Sequence, residues 1–306
     1  MLTDKQLSVA GLRAEFMDRF NAAPAVWPDL TTRIASTTEV ERFRFLGSVP
    51  PLREWGTGRK AQGMVTESYD VPNLRYEATI EVDRSEIADD QTGQIRIRIS
   101  ELAERARQFG DSEVARLLVN GHSSGYNSYD GVPMFSATHE SGKSGVQNNH
   151  IESDAVDADA PTVAEIKTAI KSAVSTLLGF LDDQAEPMNN AATGLVLVVP
   201  PGTHLDFLEA ISSSLVSNAR NVLESAARVL VFPRISTTSV FYLLKTDVSV
   251  RPLVFVDREP IEFGALEQNS ETGFMREVYL YGVRARFRYT YGYWQRAVKV
   301  TFATPT

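Results

Sequence analysis

Few side chains in this sequence are spaced for chemistry, and each candidate depends on what flanks it. The segment "GHSSG", residues 121–125, matches the G-x-S-x-G nucleophile elbow, with Ser123 as nucleophile and Asp182 and His204 following in hydrolase order. An elbow needs a strand before the serine and a helix after it. Here "SEVARLLVN" precedes with helical spacing and "YNSYDG" follows as turns, so the motif reads as a glycine–serine loop past a helix end. "GKS" at residues 142–144 lacks the upstream glycine of a phosphate loop, because Ala137 stands there. His122, His139, His150 and His204 never reach the i,i+4 spacing of a helical metal pair, and the aspartates near Asp130 lack the alternation of a calcium loop. No catalytic residue, cofactor or metal is expected, and the chain is read as a non-enzyme. One polar row remains: Arg284, Arg286 and Arg288 project from one side of "YGVRARFRYTYGYW". Three like charges on one strand face repel unless they find partners. Carboxylates, across a subunit interface or within the chain, are favoured; a solvated face and a phosphate contact are the alternatives.

The elements that must carry these groups follow from composition and period. With 306 residues, 43% of them apolar, the chain can bury a core. Zero cysteines exclude disulfides, thiolate metal sites and cysteine nucleophiles. A net charge of −8 argues against a protein built to grip phosphate backbone. The longest apolar run, Leu195–Val199, is far too short to span a bilayer, no signal peptide is visible, and synthesis in the cytoplasm with no membrane partner is expected.

Residues 3–21 read as a helix, with Thr3 and Gln6 as a capping box and Val9, Leu12, Phe16 and Phe20 as its stripe. Residues 22–48 show no sustained period and read as an extended arm. A helix opening near Asp89 and Asp90 carries Ile95, Ile99, Leu102, Ala106 and Phe109 inward; Gly110 is expected to end it, with Asp111 or Ser112 capping a shorter helix through Leu118. Residues 120–160 form an acidic, loop-rich surface. Thr162 and Glu165 cap a further helix with the stripe Ile166, Ile170, Val174, Leu177, Leu181; "GLVLVVP" is a buried strand, residues 203–226 are mostly helical, and "RVLVFP", "SVFYLLK" and "RPLVFVD" are strands. The expected fold class is α+β.

Between these lies "VPPLREWGTGRK", residues 49–60, where Trp55 stands among polar and glycine residues with no apolar neighbours in sequence. Leu74, Tyr76, Ala78, Ile80 and Val82 then alternate as a strand. If residues 50–84 form a hairpin, each arm of about 15 residues reaches roughly 50 Å at ~3.3 Å per residue. A chain this long has a radius of gyration near only about 19 Å. Such a hairpin protrudes and must lie on something, most economically a second copy of the chain.

The order of arm, hairpin, long helix and α+β lobe closed by a return strand resembles the major capsid protein fold of tailed phages, of the Hong Kong 97 type. "PLREWGTGR", "SEIADDQTG", "YDGVPMFSATHE" and "YGVRARFRYTYGYWQRA" resemble the major head subunit of Mu-like phages and prophages. The resemblance implies an N-terminal arm (residues 1–48), an extended loop (49–88), a peripheral domain with a spine helix (89–190), an axial domain (191–269) and return strands of the peripheral domain (270–306). It also implies pentamers and hexamers closing an icosahedral head around double-stranded DNA. Partners would be other copies, a scaffolding protein or protease separate from this chain, a portal and a decoration protein, in the host cytoplasm and then the virion. Phe16, Phe20, Arg53, Glu54, Trp55, Arg59, Lys60, Arg284, Arg286 and Arg288 would be intersubunit contacts, with Trp55 inserted against a neighbour. Lys60 lies in the loop, but no motif marks an acceptor asparagine, so no covalent crosslink is expected. A non-viral shell compartment of the same fold and a serine hydrolase using Ser123 are the rival readings.

Overall fold

The computed structural model describes residues 9–43, 69–89, 93–212, 215–216, 219–220, 223, 226–266 and 275–305. Of the stripe expected in helix α1 (Val9–Ala22), Leu12 and Phe16 are buried, Phe20 is half-buried and Val9 is exposed. The short α2 (Trp27–Leu30) follows, then β1 (Thr31–Ala35), β2 (Val40–Phe43), β3 (Tyr69–Pro72) and β4 (Leu74–Asp83). Residues 22–48 are therefore not simply an extended arm. β1 pairs in parallel with Leu253–Asp257, and that partner lies more than two hundred residues away, beyond any local period.

After α3 (Arg84–Asp89) comes α4 (Gln94–Asn120), one continuous helix of 27 residues. Its N-cap is Gly93, whose φ of 74° lies in the left-handed region where glycine is favoured; Asp89 instead closes α3. Nor does Gly110 end the helix. A Cβ there would lie 2.5 and 2.6 Å from Cδ1 and Nε1 of Trp27 and closer still to the Tyr289 hydroxyl. Glycine is present because α2 presses against the middle of α4.

Downstream lie β5 (His150–Asp154), α5 (Val163–Gly179), β6 (Leu195–Val199), α6 (His204–Ser212), the two-residue strands β7 (Leu215–Val216) and β8 (Ala219–Arg220), and β9 (Arg228–Val231). The helix expected over residues 203–226 thus stops at Ser212 and gives way to a short antiparallel pair. β10 (Val240–Lys245), β11 (Leu253–Leu266), β12 (Val278–Tyr291), a 3-10 turn (Trp294–Arg296) and β13 (Ala297–Ala303) complete the chain.

Two larger sheets result, in the orders β1-β11-β12-β4 and β5-β13-β10-β6-β9, while β2 pairs with β3. β4 runs along β12 for its whole length as the edge of the first sheet, so residues 74–83 are seated in the fold rather than protruding. α1 and α4 cover β11 and β12 over a core of Leu12, Phe16, Ile95, Ile99, Phe263 and Tyr281. α5 packs on β5 and β13, α6 on β9, and the two helices on each other. Every residue of β6 and β10 is buried, which explains their unbroken apolar runs.

The capping box of α5 forms as its spacing indicates: Thr162 accepts from the Glu165 amide, and Glu165 accepts from the Thr162 amide at 2.7 Å. The backbone N–H of Val156 and then that of Thr162 hold the Glu165 carboxyl below the usual carboxylate range. Thr162→Ala should destabilise the subunit by about 1 kcal/mol in urea denaturation, because a helix-end N–H loses its acceptor.

Candidate functional site

The hydrolase constellation does not assemble. α4, not a strand, leads into Ser123, whose amide and carbonyl close successive turns with Asn120 and Tyr126. Asp182 spends Oδ1 on the amides of Gln184 (2.8 Å) and Glu186 (2.9 Å), and His204 has Nδ1 2.8 Å from the Pro201 carbonyl. Among the described residues no hydrogen bond joins any two of the three. The "GKS" segment is a turn, in which the Lys143 amide donates to the Asp183 carbonyl at 2.9 Å. No cluster of three or more metal-ligating side chains occurs among the described residues.

Two members of the arginine row, Arg284 and Arg286, find carboxylates within their own chain. Cross-strand pairing sets Arg284 beside Glu262 and Glu77, and its guanidinium pairs with Glu259. Arg286 lies 3.7 Å from Glu39 and 3.9 Å from Glu259. Burial pushes the Tyr69 and Tyr76 phenols up, and the nearby Arg288 guanidinium works against that shift in both. For Arg284 and Arg286 an intersubunit partner is therefore not needed, since β11 and the segment before β2 supply carboxylates. The solvent-facing Arg284–Glu259 pair contributes only about 0–1 kcal/mol.

Phe16 is also corrected as an intersubunit contact. It is fully buried, with its ring 5.3 Å from Phe263 and 6.0 Å from Phe20, so no neighbour can reach it. Phe20 is half-buried, with the Arg107 guanidinium 5.5 Å above its ring. Arg53, Glu54, Trp55, Arg59 and Lys60 lie outside the described residues.

Sequence reasoning looked to Trp55 and passed over Trp27. The Trp27 indole N–H donates to the Arg107 carbonyl at 3.1 Å, the ring meets Phe255 at 4.9 Å and Tyr289 edge-on at 5.5 Å, and Arg107 lies 5.0 Å over its face. Asp111 Oδ1 accepts from the amides of Val26 (2.9 Å) and Trp27 (2.8 Å), so it caps α2 rather than a new helix. Burial pushes the Asp111 carboxyl up, against those two amides, which favour its charged form. At the other end of α2, Arg251 donates to the carbonyls of Pro28 (2.9 Å), Asp29 (3.0 Å) and Thr31 (3.0 Å). The available signal was a Gly-Asp step inside an otherwise unbroken helical stripe, which marks close approach of another segment.

The arrangement holds a segment near the N-terminus against a long helix and a sheet. Compared with known proteins, residues 6–164 and 234–303 match the family model for the Mu-like prophage major head subunit gpT. The chain is 23% identical over 288 residues to the "Mu-like prophage FluMu major head subunit" of Haemophilus influenzae, spanning 94% of this chain and 70% of that one. It is 22% identical over 289 residues to the "Major capsid protein" of Escherichia phage Mu, again with 94% and 70% covered. The fold is similar to that in the procapsid of bacteriophage JBD30, with a TM-score of 0.57, 23% identity and coverage of 97% of this chain and 76% of that one.

Proposed function

Because the chain belongs to the Mu-like prophage major head subunit (gpT) family and is a major capsid protein with the tailed-phage capsid fold, we propose that its copies close as pentamers and hexamers into an icosahedral shell around double-stranded DNA. The observation that carries this is the family match, which runs through α1 to β5 and again through β10 to β13, with no catalytic constellation among the described residues to suggest other work. Its role is structural. A shell subunit contacts several neighbours and buries on the order of 2,000 Å² or more, the scale of obligate interfaces. Many moderate contacts let misplaced subunits leave during assembly, while their sum makes the closed shell durable. The net charge of −8 suits a container that leaves packaged DNA free to exit.

In this reading a scaffolding protein or protease, a portal and a decoration protein join the shell, which forms in the host cytoplasm and persists in the virion. Trp55, in a segment with no apolar neighbours in sequence, anchors on an adjacent copy. Purified protein should form closed particles by electron microscopy. Trp55→Ala should cut the particle yield by about tenfold or more, as losing an interface anchor worth ~2 kcal/mol requires, while the circular dichroism of the subunit stays the same. Unchanged yield would remove Trp55 from the interface, and a purified chain that never assembles in any buffer would count against the shell itself. Particles carrying a bound cargo enzyme rather than DNA would favour a non-viral compartment.

A further inference from the structure

At the edge of the five-stranded sheet, just past the end of α4, three basic side chains meet without an acid between them. His122 has Nδ1 3.1 Å from Lys299 Nζ and 3.0 Å from the Val119 carbonyl. His150, the first residue of β5, is the register partner of Lys299 on β13; its ring lies 6.1 Å from that of His122, and its Nε2 lies 3.2 Å from Thr301 Oγ1. Lys299 is only 5% exposed. Among the described residues, none of the ion pairs includes any of the three. The other titratable groups on this face, by register, are Glu152 and Asp154 further along β5 and Tyr242 of β10, opposite Lys299.

His122 Nδ1 faces both the Val119 carbonyl, which only accepts, and the Lys299 ammonium, which only donates, so it can serve one of the two at a time. Adding a proton to His150 puts a second positive charge beside its register partner, the buried Lys299 ammonium. β5 is an edge strand of five residues held in its sheet by β13 alone. We propose that His122, His150 and Lys299 form an acid-sensitive latch that holds β5 and the end of α4 on β13 at neutral pH and releases that edge when the His150 imidazole takes up a proton.

The titration of the cluster agrees in sign. Burial first, then Lys299 and His122, push the His150 imidazole down from 6.5 to about 4, and burial brings the Lys299 ammonium down to about 8. The folded chain refuses a proton at His150 that the unfolded chain binds near 6.5. The stabilising contribution is thus complete above that pH and is lost as the pH falls toward 4. The latch belongs to the single subunit, so it stands or falls separately from shell assembly.

Hydrogen exchange of residues 150–154, corrected for intrinsic rates, should show opening that rises about tenfold or more between pH 7 and pH 5, the change expected of a shift exceeding one pH unit. In His150→Gln, which cannot be protonated, that rise should largely vanish, and His122→Gln should reduce it. An equal pH response in native protein and His150→Gln, or none in native protein, overturns the latch. If His150→Gln does not fold, NMR titration of the native His150 ring decides: a midpoint well below 6.5 supports the latch and one at the free value overturns it.

Discussion

Trp27→Ala is expected to lower the stability of the folded subunit by about 2–4 kcal/mol, somewhat below the range for a fully buried aromatic because Trp27 is partly buried against the core. The loss is more than buried area. The indole fills the notch left by Gly110, donates to the Arg107 carbonyl and packs edge-on against Tyr289, while Arg107 lies across its face. Removing it leaves a cavity between α4 and the sheet and deprives the Arg107 guanidinium of one of its two aromatic partners. The complementary substitution tests the same contact from the other side. Gly110→Ala should gain about 1 kcal/mol of helix propensity elsewhere in a helix, yet here should destabilise by about 1–3 kcal/mol, since the added methyl must displace the indole or the Tyr289 hydroxyl. Urea denaturation of both variants checks this. If Gly110→Ala proves more stable than the native chain, α2 does not seat in α4 as described.

Asp130→Ala should have an effect of similar size, about 3–5 kcal/mol, because it strands a buried partner. His139 is completely buried, stacked on Trp294 with ring centroids 4.2 Å apart and planes 8° from parallel. Its Nδ1 faces Asp130 Oδ2 at 2.6 Å and its Nε2 faces the Met134 carbonyl at 3.1 Å. The same carbonyl accepts from Asn149 Nδ2 at 2.8 Å, and Asn149 Oδ1 accepts from the Ser136 amide at 2.9 Å. Between α4 and β5 the chain makes only isolated bridges, such as Asn127 with Pro133 and His139 with Gln147. These side-chain bonds therefore stand in for the missing ladder hydrogen bonds. With Asp130 gone, the His139 ring loses its acceptor in a site closed to water, and the stretch around Lys143 should become sensitive to trypsin before the rest of the chain. Asp130→Asn keeps an oxygen in place and should cost less. Equal stability of Asp130→Ala and native protein would show that the pair contributes nothing to holding this loop.

Some of this was legible in the order of residues. The stripes of α1 and α5, the capping box at Thr162 and Glu165, the apolar runs of β6 and β10 and the alternation in β12 are properties of neighbouring residues. They appear in the structure with Leu12, Phe16, Ile166, Ile170, Val283 and Ala285 turned inward. The flanks of the serine motif carry the period of a helix and of turns, and α4 does lead into it, while the combination of short motifs pointed to the head-subunit family that the comparisons show. Packing between distant segments decided the rest. β1 is a strand because β11 offers it an edge, α4 continues through Gly110 because Trp27 needs that space, and Asp111 caps a helix 84 residues before it. Arg284 and Arg286 find carboxylates in their own chain because β11 and β12 run side by side. Periodicity records which face of an element is buried; only the closed fold determines what lies against that face, because the choice of partner is set by shape and hydrogen bonding between residues that sequence order keeps far apart.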